Sequence, residues 1–326
     1  MSNTVTSQEL ESAHQEVMKD LYKDIKFLRF GEDGCFLPKV YKEDADNYRT
    51  MAVRPDDVWV ATFPRSGTTM TQELVWLLMN DFDYDTASKI DLTSRYAFLE
   101  TKRVGLLTIV YKSIDPELLE KVNKHRWSYD AVTNVPSPRF IKTHLPFSLL
   151  PENLLDGKVV YVARDPRDVA VSYYHMSRLV MANTGDFKSY WNLFVKDLVV
   201  YSPYFSHVKA AWAARHHPNM LFIFYEDIIK DLPAAIMRIA DFLGKEVTDE
   251  QVARLCEHLD INKFRKNESV NRSDLSKINP AAETFIRNGG AGGWRQHFDE
   301  EMAAQAQRWM RDHLTGSDLR FPEHTS

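Results

Sequence analysis

Four short segments carry residue types that could hold an anion and move a proton. The first, residues 63–69, reads Phe-Pro-Arg-Ser-Gly-Thr-Thr and runs into Met70. Gly67 would let the backbone approach an anion closely, and Ser66, Thr68 and Thr69 add hydroxyl donors. Arg65 brings a charge that persists at any working pH. An apolar stretch before and a helix-like run after would aim backbone N–H groups and a helix N-terminus at a phosphate. The segment lacks the Gly-x4-Gly-Lys-Ser/Thr spacing of nucleotide triphosphatases. The same residues would also serve as an ordinary helix cap.

The second segment, Lys142-Thr143-His144, ends a candidate strand. Residues two apart on a strand share a face, so Lys142 and His144 should look into one crevice. Histidine can take a proton from a hydroxyl, and lysine can neutralise charge on transferred oxygens. A lone histidine is more often structural; the neighbouring lysine favours chemistry. The third is the corner Arg164-Asp165-Pro166-Arg167-Asp168, followed by Ser172. Arg164 and Ser172 could both reach a phosphate, whereas Arg167 and Asp168 read as a salt-bridged helix cap. In the fourth, residues 287–295, four of the twelve glycines fall within five positions. It offers unhindered N–H groups beside Arg287.

These segments need elements to hold them. Apolar runs predict strands at 58–63, 139–143, 159–164 and 220–225, and periodicity predicts helices at 68–80, 166–181, 187–200, 203–216, 232–243 and 248–258. Continuous apolar strands alternating with helices predict an α/β fold, a parallel sheet flanked by helices with a P-loop-like phosphate-binding loop. Ligands bind such sheets at the carboxyl ends of strands, where Arg65, the Lys142/His144 pair and Arg164 all fall. Residues 1–30 read as a polar, helical lead-in with Leu10, His14, Val17, Met18 and Leu21 as a weak stripe, and 31–55 as loop-rich. Residues 84–138 could cover the site as a helical lid or form a peripheral insertion. No Pro/Gly/Ser-rich linker divides the chain, so residues 1–326 are expected to form one domain.

Composition bounds the rest. With 44% hydrophobic residues, the chain can bury a full core. The net charge of −5 argues against a nucleic-acid or anionic-membrane partner, so any anion site must be a local pocket. Cys35 and Cys256 are the only cysteines, which excludes a disulfide framework or a cysteine-rich zinc site. No signal-peptide pattern opens the chain, and its apolar runs of about six residues fall short of the ~20 that span a bilayer. A cytoplasmic protein is expected.

Together the motifs resemble the cytosolic sulfotransferase family, in family order over about 58–298. Residues 63–69 resemble its YPKSGTT loop, 137–146 (SPRFIKTHLP) its KTHLP strand end, and 161–175 (YVARDPRDVAVSYYH) its 3'-phosphate segment. FYEDI at 224–228 matches its adenine-contacting tyrosine region, and FIRNGGAGGW its terminal RKGxxGDW loop. The resemblance implies sulfuryl transfer from 3'-phosphoadenosine 5'-phosphosulfate (PAPS) to a hydroxyl of a small hydrophobic acceptor (a phenol, sterol or retinoid-like alcohol). Adenosine 3',5'-bisphosphate (PAP) is the implied product, and no metal is required. His144 would be the general base, Lys142 would steady the sulfuryl oxygens, and Arg65 the departing 5'-phosphate. Arg65, Ser66, Gly67, Thr68, Thr69 and Met70 would bind the 5' end. Arg164, Ser172, Arg287, Asn288 and Gly289 would hold the 3'-phosphate, Tyr225 the adenine, with Phe285 beside the base.

Several positions depart from the family pattern. Arg65 and Asn288 stand where lysines are usual, and Leu259 and Ile261 replace a threonine and a phenylalanine near the adenine. The family's KxxxTVxxxE dimer sequence would fall at Arg295, Asp299, Glu300 and Ala304, with only the first similar, so the oligomeric state is open. The long 84–138 stretch is shared with the retinol dehydratase branch, which implies an alternative: a transient sulfate ester that is then eliminated. A fold retained for binding without turnover is a third reading.

Overall fold

The computed structural model describes residues 4–11, 14, 22, 25–104, 120, 126–180, 183, 185–272, 275, 284–287 and 289–323. Its centre is a five-stranded, wholly parallel sheet of β4 (Val58–Thr62), β5 (Ala97–Phe98), β6 (Phe140–Thr143), β7 (Lys158–Ala163) and β8 (Met220–Phe224). The strands lie in the order β5-β6-β4-β7-β8. Every residue of β4 and β8 is buried, as expected where apolar packing covers both sheet faces. Val58, Val60, Val160 and Val162 pack on one side with the helix α1 (Thr68–Met79). Trp59, Ala61, Val159 and Tyr161 pack on the other.

Seven further helices pack around the sheet; five match the sequence reading, while Tyr225–Lys230, which takes the last residue of the strand expected over 220–225, and Glu300–Leu314 were not read from the sequence. The seven are α2 (Pro166–Val180), α3 (Phe187–Val195), α4 (Tyr204–Ala213), α5 (Tyr225–Lys230), α6 (Leu232–Leu243), α7 (Asp249–Leu259) and α8 (Glu300–Leu314). Local chemistry sets the ends. A capping box joins Thr248 and Gln251 at the start of α7, and Gly244, at φ +70°, closes α6. The helix expected over 187–200 stops early, and Asp197 just beyond it takes a left-handed φ of 55°.

The N-terminal reading needs correction. At its two ends the lead-in is strand rather than helix, and the expected loop also contributes a strand: β1 (Ser7–Glu9), β2 (Phe27–Phe30) and β3 (Cys35–Pro38) form a small antiparallel sheet, while most of residues 12–24 lie outside the described residues. Short helices Lys39–Glu43 and Ala45–Arg49 follow. Of the proposed stripe, Val17, Met18 and Leu21 lie outside the described residues. The edge of β3 joins the main body: Phe36 N–H donates to the Ser202 carbonyl at 2.8 Å, and Tyr201 N–H donates to the Phe36 carbonyl at 2.9 Å.

Buried ion pairs fix the frame. Arg139, at the head of β6, donates to both Asp57 oxygens, at 2.7 and 2.5 Å. Glu73 on α1 accepts from Arg95 at 2.7 Å and contacts His258 of α7 at 2.8 Å. The latter node ties the helix behind the phosphate loop to the segment leading into β5.

Candidate active site

The turn after β4 is built by two left-handed residues, Arg65 at φ 71° and Gly67 at φ 94°. A methyl group on Gly67 would lie 2.5 Å from the Tyr225 ring, so only glycine lets these segments meet. Helix α1 starts at Thr68, which leaves the N–H groups of Thr68, Thr69 and Met70 without intrahelical acceptors where they line a cavity. The Ser66 hydroxyl is buried with no partner among the described atoms, and Ser66 alone of residues 64–70 does not line the cavity. Thr68 Oγ1 is 2.7 Å from Thr62 Oγ1.

Lys142 and His144, from the end of β6, line the same cavity. His144 Nδ1 lies 2.8 Å from the Thr62 carbonyl. A carbonyl can only accept, so Nδ1 carries the proton and Nε2 keeps its lone pair. Burial and the nearby Lys142 hold the imidazole pKa well below its ordinary value, so the ring is neutral at pH 7. Burial also pushes Lys142 down to about 8, and its ammonium sits 4.3 Å from the centre of the Phe98 ring.

Beneath this pair lies Glu100, which sequence reasoning missed. It is 0% exposed and accepts from His144 N–H at 2.7 Å and from Thr143 Oγ1 at 2.9 Å. Burial pushes its carboxyl up to about 7. Tyr201 was also missed. Its backbone is left-handed at φ 72°, and its ring meets His144 edge-on at 5.4 Å. No local pattern marks either residue, because partners distant in sequence decide both positions.

Arginines gather at the other end. Arg164 donates to the carbonyls of Arg65 at 3.0 Å and Gly290 at 2.8 Å, and lies over the Tyr225 ring. Arg65 donates to Ser172 Oγ at 3.0 Å and to the Phe285 carbonyl at 2.9 Å. Desolvation, then Arg164 and Arg287, push the Arg65 guanidinium down to about 10, still charged at neutral pH. Tyr225 donates to the Gly289 carbonyl at 2.6 Å, and Arg287 lines the cavity. Asn288 lies outside the described residues. Leu259 and Ile261 line the cavity, with Ile261 packed against Gly289. Asp168 corrects one expectation: it accepts the N–H groups of Gly292 and Trp294 at 2.6 and 2.9 Å and so anchors the glycine loop. Arg167 pairs instead with Asp165.

Both ends open into one cavity of about 730 Å³. Phe98 and Tyr201 stand against His144, and Val104, Met176, Val180 and Leu275 add apolar lining to the cavity. Tyr96 also lines the cavity. Trp76, Phe82 and Trp127 do not; Trp76 instead lies under the Arg95 guanidinium, and Trp127 donates to the Thr93 carbonyl. Residues 105–119 and 121–125 of the expected lid lie outside the described residues. Among the described residues, no helix is long and apolar enough to cross a membrane, and no group of three or more His, Cys, Asp or Glu could hold a metal ion.

Known proteins resemble this chain in sequence and fold. Residues 55–318 match the family described as a sulfotransferase domain. Luciferin sulfotransferase of Photinus pyralis is 32% identical over 90% of this chain and 81% of its own. Sulfotransferase 1E1 of Homo sapiens is 30% identical over 88% of this chain and 94% of its own. Two crystal structures of retinol dehydratase, one with androsterone and inactive cofactor PAP and one with retinol and PAP, superpose with a TM-score of 0.87. Each is 42% identical and covers 98% of this chain; the coverage of the dehydratase chain is 98% in the androsterone structure and 99% in the retinol structure. With a phosphate-sized cradle, an oriented neutral imidazole and a family match spanning most of its length, this chain belongs to the sulfotransferase family and is a transferase.

Proposed function

We propose that the chain moves a sulfuryl group from PAPS to the hydroxyl of a small hydrophobic acceptor. One observation carries the reading: a neutral, oriented His144 and the Lys142 ammonium share a cavity with a cradle of N–H groups and arginines. The donor supplies an activated sulfuryl group. Arg65 and residues 66–70 bind its 5' end; Arg164, Ser172, Arg287, Asn288 and Gly289 take the 3'-phosphate; Tyr225 and Phe285 flank the base. His144 Nε2 accepts the hydroxyl proton as the acceptor oxygen bonds to sulfur and the bond from sulfur to the 5'-phosphate oxygen breaks. Lys142 balances the charge on the sulfuryl oxygens, and positioning does most of the rest. Residues 1–326 act as one unit, and the enzyme works in the cytosol. Calorimetry with PAP, and PAPS-dependent turnover of a panel of phenols, sterols and retinoids, test the assignment. Absence of both binding and transfer would leave only a retained fold.

The 42% identity to retinol dehydratase and the apolar wall around His144 support a second reading. An allylic alcohol would be sulfonated and the ester would then lose sulfate within the cavity. Product analysis with such an alcohol decides: the eliminated product supports this reading, and a stable ester as sole product excludes it.

Arg65 offers a separate test. Its fork spans Ser172 and Phe285, which a lysine ammonium cannot reproduce with the same geometry. Arg65→Lys is expected to keep PAP affinity within a few fold and to change kcat more than KM. A rise in kcat would mean that proton donation to the leaving group limits the rate; a fall would mean that positioning does. Arg65→Ala with unaltered kcat and KM would remove this residue from the site.

A further inference from the structure

Glu100 is the buried charged group closest to the reacting pair for which the proposed chemistry has no use. One oxygen accepts from His144 N–H, and the other from the Thr143 hydroxyl, which itself accepts from Leu145 N–H at 3.0 Å. Its own segment is bound to β6: Phe98 is in register with Lys142, and Leu99 N–H donates to the Lys142 carbonyl at 3.0 Å. The carboxylate therefore grips the strand end from which both reacting side chains project, while Phe98, two residues earlier, supplies the ring beside the Lys142 ammonium.

We infer that Glu100 is a positioning residue for sulfuryl transfer: its carboxylate fixes the turn at residues 143–145 and sets a negative charge opposite the buried Lys142 ammonium. The inference rests on the reading of Lys142 and His144 as the reacting pair. Lys142 is pulled down by burial and by the charges of Arg272 and Arg65, and Glu100 opposes them. The other titratable groups that feel Glu100, which are Cys35, Tyr41, Tyr48 and Tyr201, are all raised by burial and stay neutral near pH 8. Lysine loses its charge as pH rises through its pKa. Removing the carboxylate charge must therefore bring that loss to lower pH.

Two variants separate geometry from charge. In Glu100→Gln the side chain can still accept from His144 N–H and donate to Thr143 Oγ1, but the charge is gone. The alkaline limb of kcat/KM is expected to move to lower pH by about one unit, the low end of what a nearby opposite charge typically contributes, because Glu100 is the charge that opposes the depression of Lys142. Glu100→Ala leaves both donors unpaired. It is expected to lower kcat by about 10- to 100-fold through misplacement of His144, with KM for PAPS within a few fold. Below pH 7, where Lys142 is charged without help, Glu100→Gln should recover most of the kcat lost in the alanine variant. The assay uses PAPS and the panel alcohol that the wild-type enzyme turns over fastest. An alkaline limb fixed at its wild-type pH in Glu100→Gln, or kcat within twofold of wild type in Glu100→Ala, overturns the inference. If Lys142→Ala and His144→Ala are inactive in the same assay, that failure belongs to Glu100 alone. If they are active, the underlying pair assignment has failed instead.

Discussion

Replacing Lys142 or His144 by alanine is expected to lower transfer by about 10²- to 10³-fold, the usual cost of losing one transition-state contact. Both side chains face the cavity, and neither is shown holding a distant element through its side chain beyond the His144 contact to Thr62. The phosphate cradle is built from other residues, so PAP should still bind each variant within a few fold of wild type. Single-turnover rates and calorimetry on the same preparations separate the two effects. Full activity in both variants would sink the roles assigned here.

Gly67→Ala should act on the opposite term, binding. The new methyl group would sit at φ 94° and 2.5 Å from the Tyr225 ring, and that ring is tied through its hydroxyl to the Gly289 carbonyl. Either the turn opens or Tyr225 moves and releases the glycine loop. Restoring the cradle on binding then costs strain of about 1–3 kcal/mol. At 1.4 kcal/mol per tenfold, PAP affinity should fall by about 10- to 100-fold. Calorimetry reads this directly, and an unchanged Kd would mean that the loop does not contact the 5' end.

The parts of this protein that sequence revealed are those where local composition is decisive. Strands β4, β6, β7 and β8 are short apolar runs between turn signals, and the residues at their ends are of types that rarely occur together by accident. The two-residue β5 offers no run to detect. The β2–β3 hairpin escaped because Phe27-Leu28-Arg29-Phe30 shows no regular alternation: Phe27, Leu28 and Phe30 all join the main core and only Arg29 is half-buried. At the site, Glu100 looks like any acidic residue in a mixed stretch until Thr143 and His144 close over it. Asp168 was misread for a related reason: a helix cap and a loop anchor have the same sequence, and only the path of residues 292–294 distinguishes them.

The two hydrogen bonds between Phe36 and the Tyr201–Ser202 backbone bear on how acceptor preference can change. Phe36 precedes the region matched by the family, 55–318, whereas Tyr201 lies inside it and against His144. A chimaera exchanging only that region with a relative would carry the aromatic wall across but leave its strand anchor behind. The transplanted ring would rest on a foreign edge, and its specificity would not travel intact. Exchanges that keep both halves of the bridge from one parent should preserve the parental acceptor profile, so residues 35–38 and 201–202 constitute a single inheritable unit for designed or natural recombination.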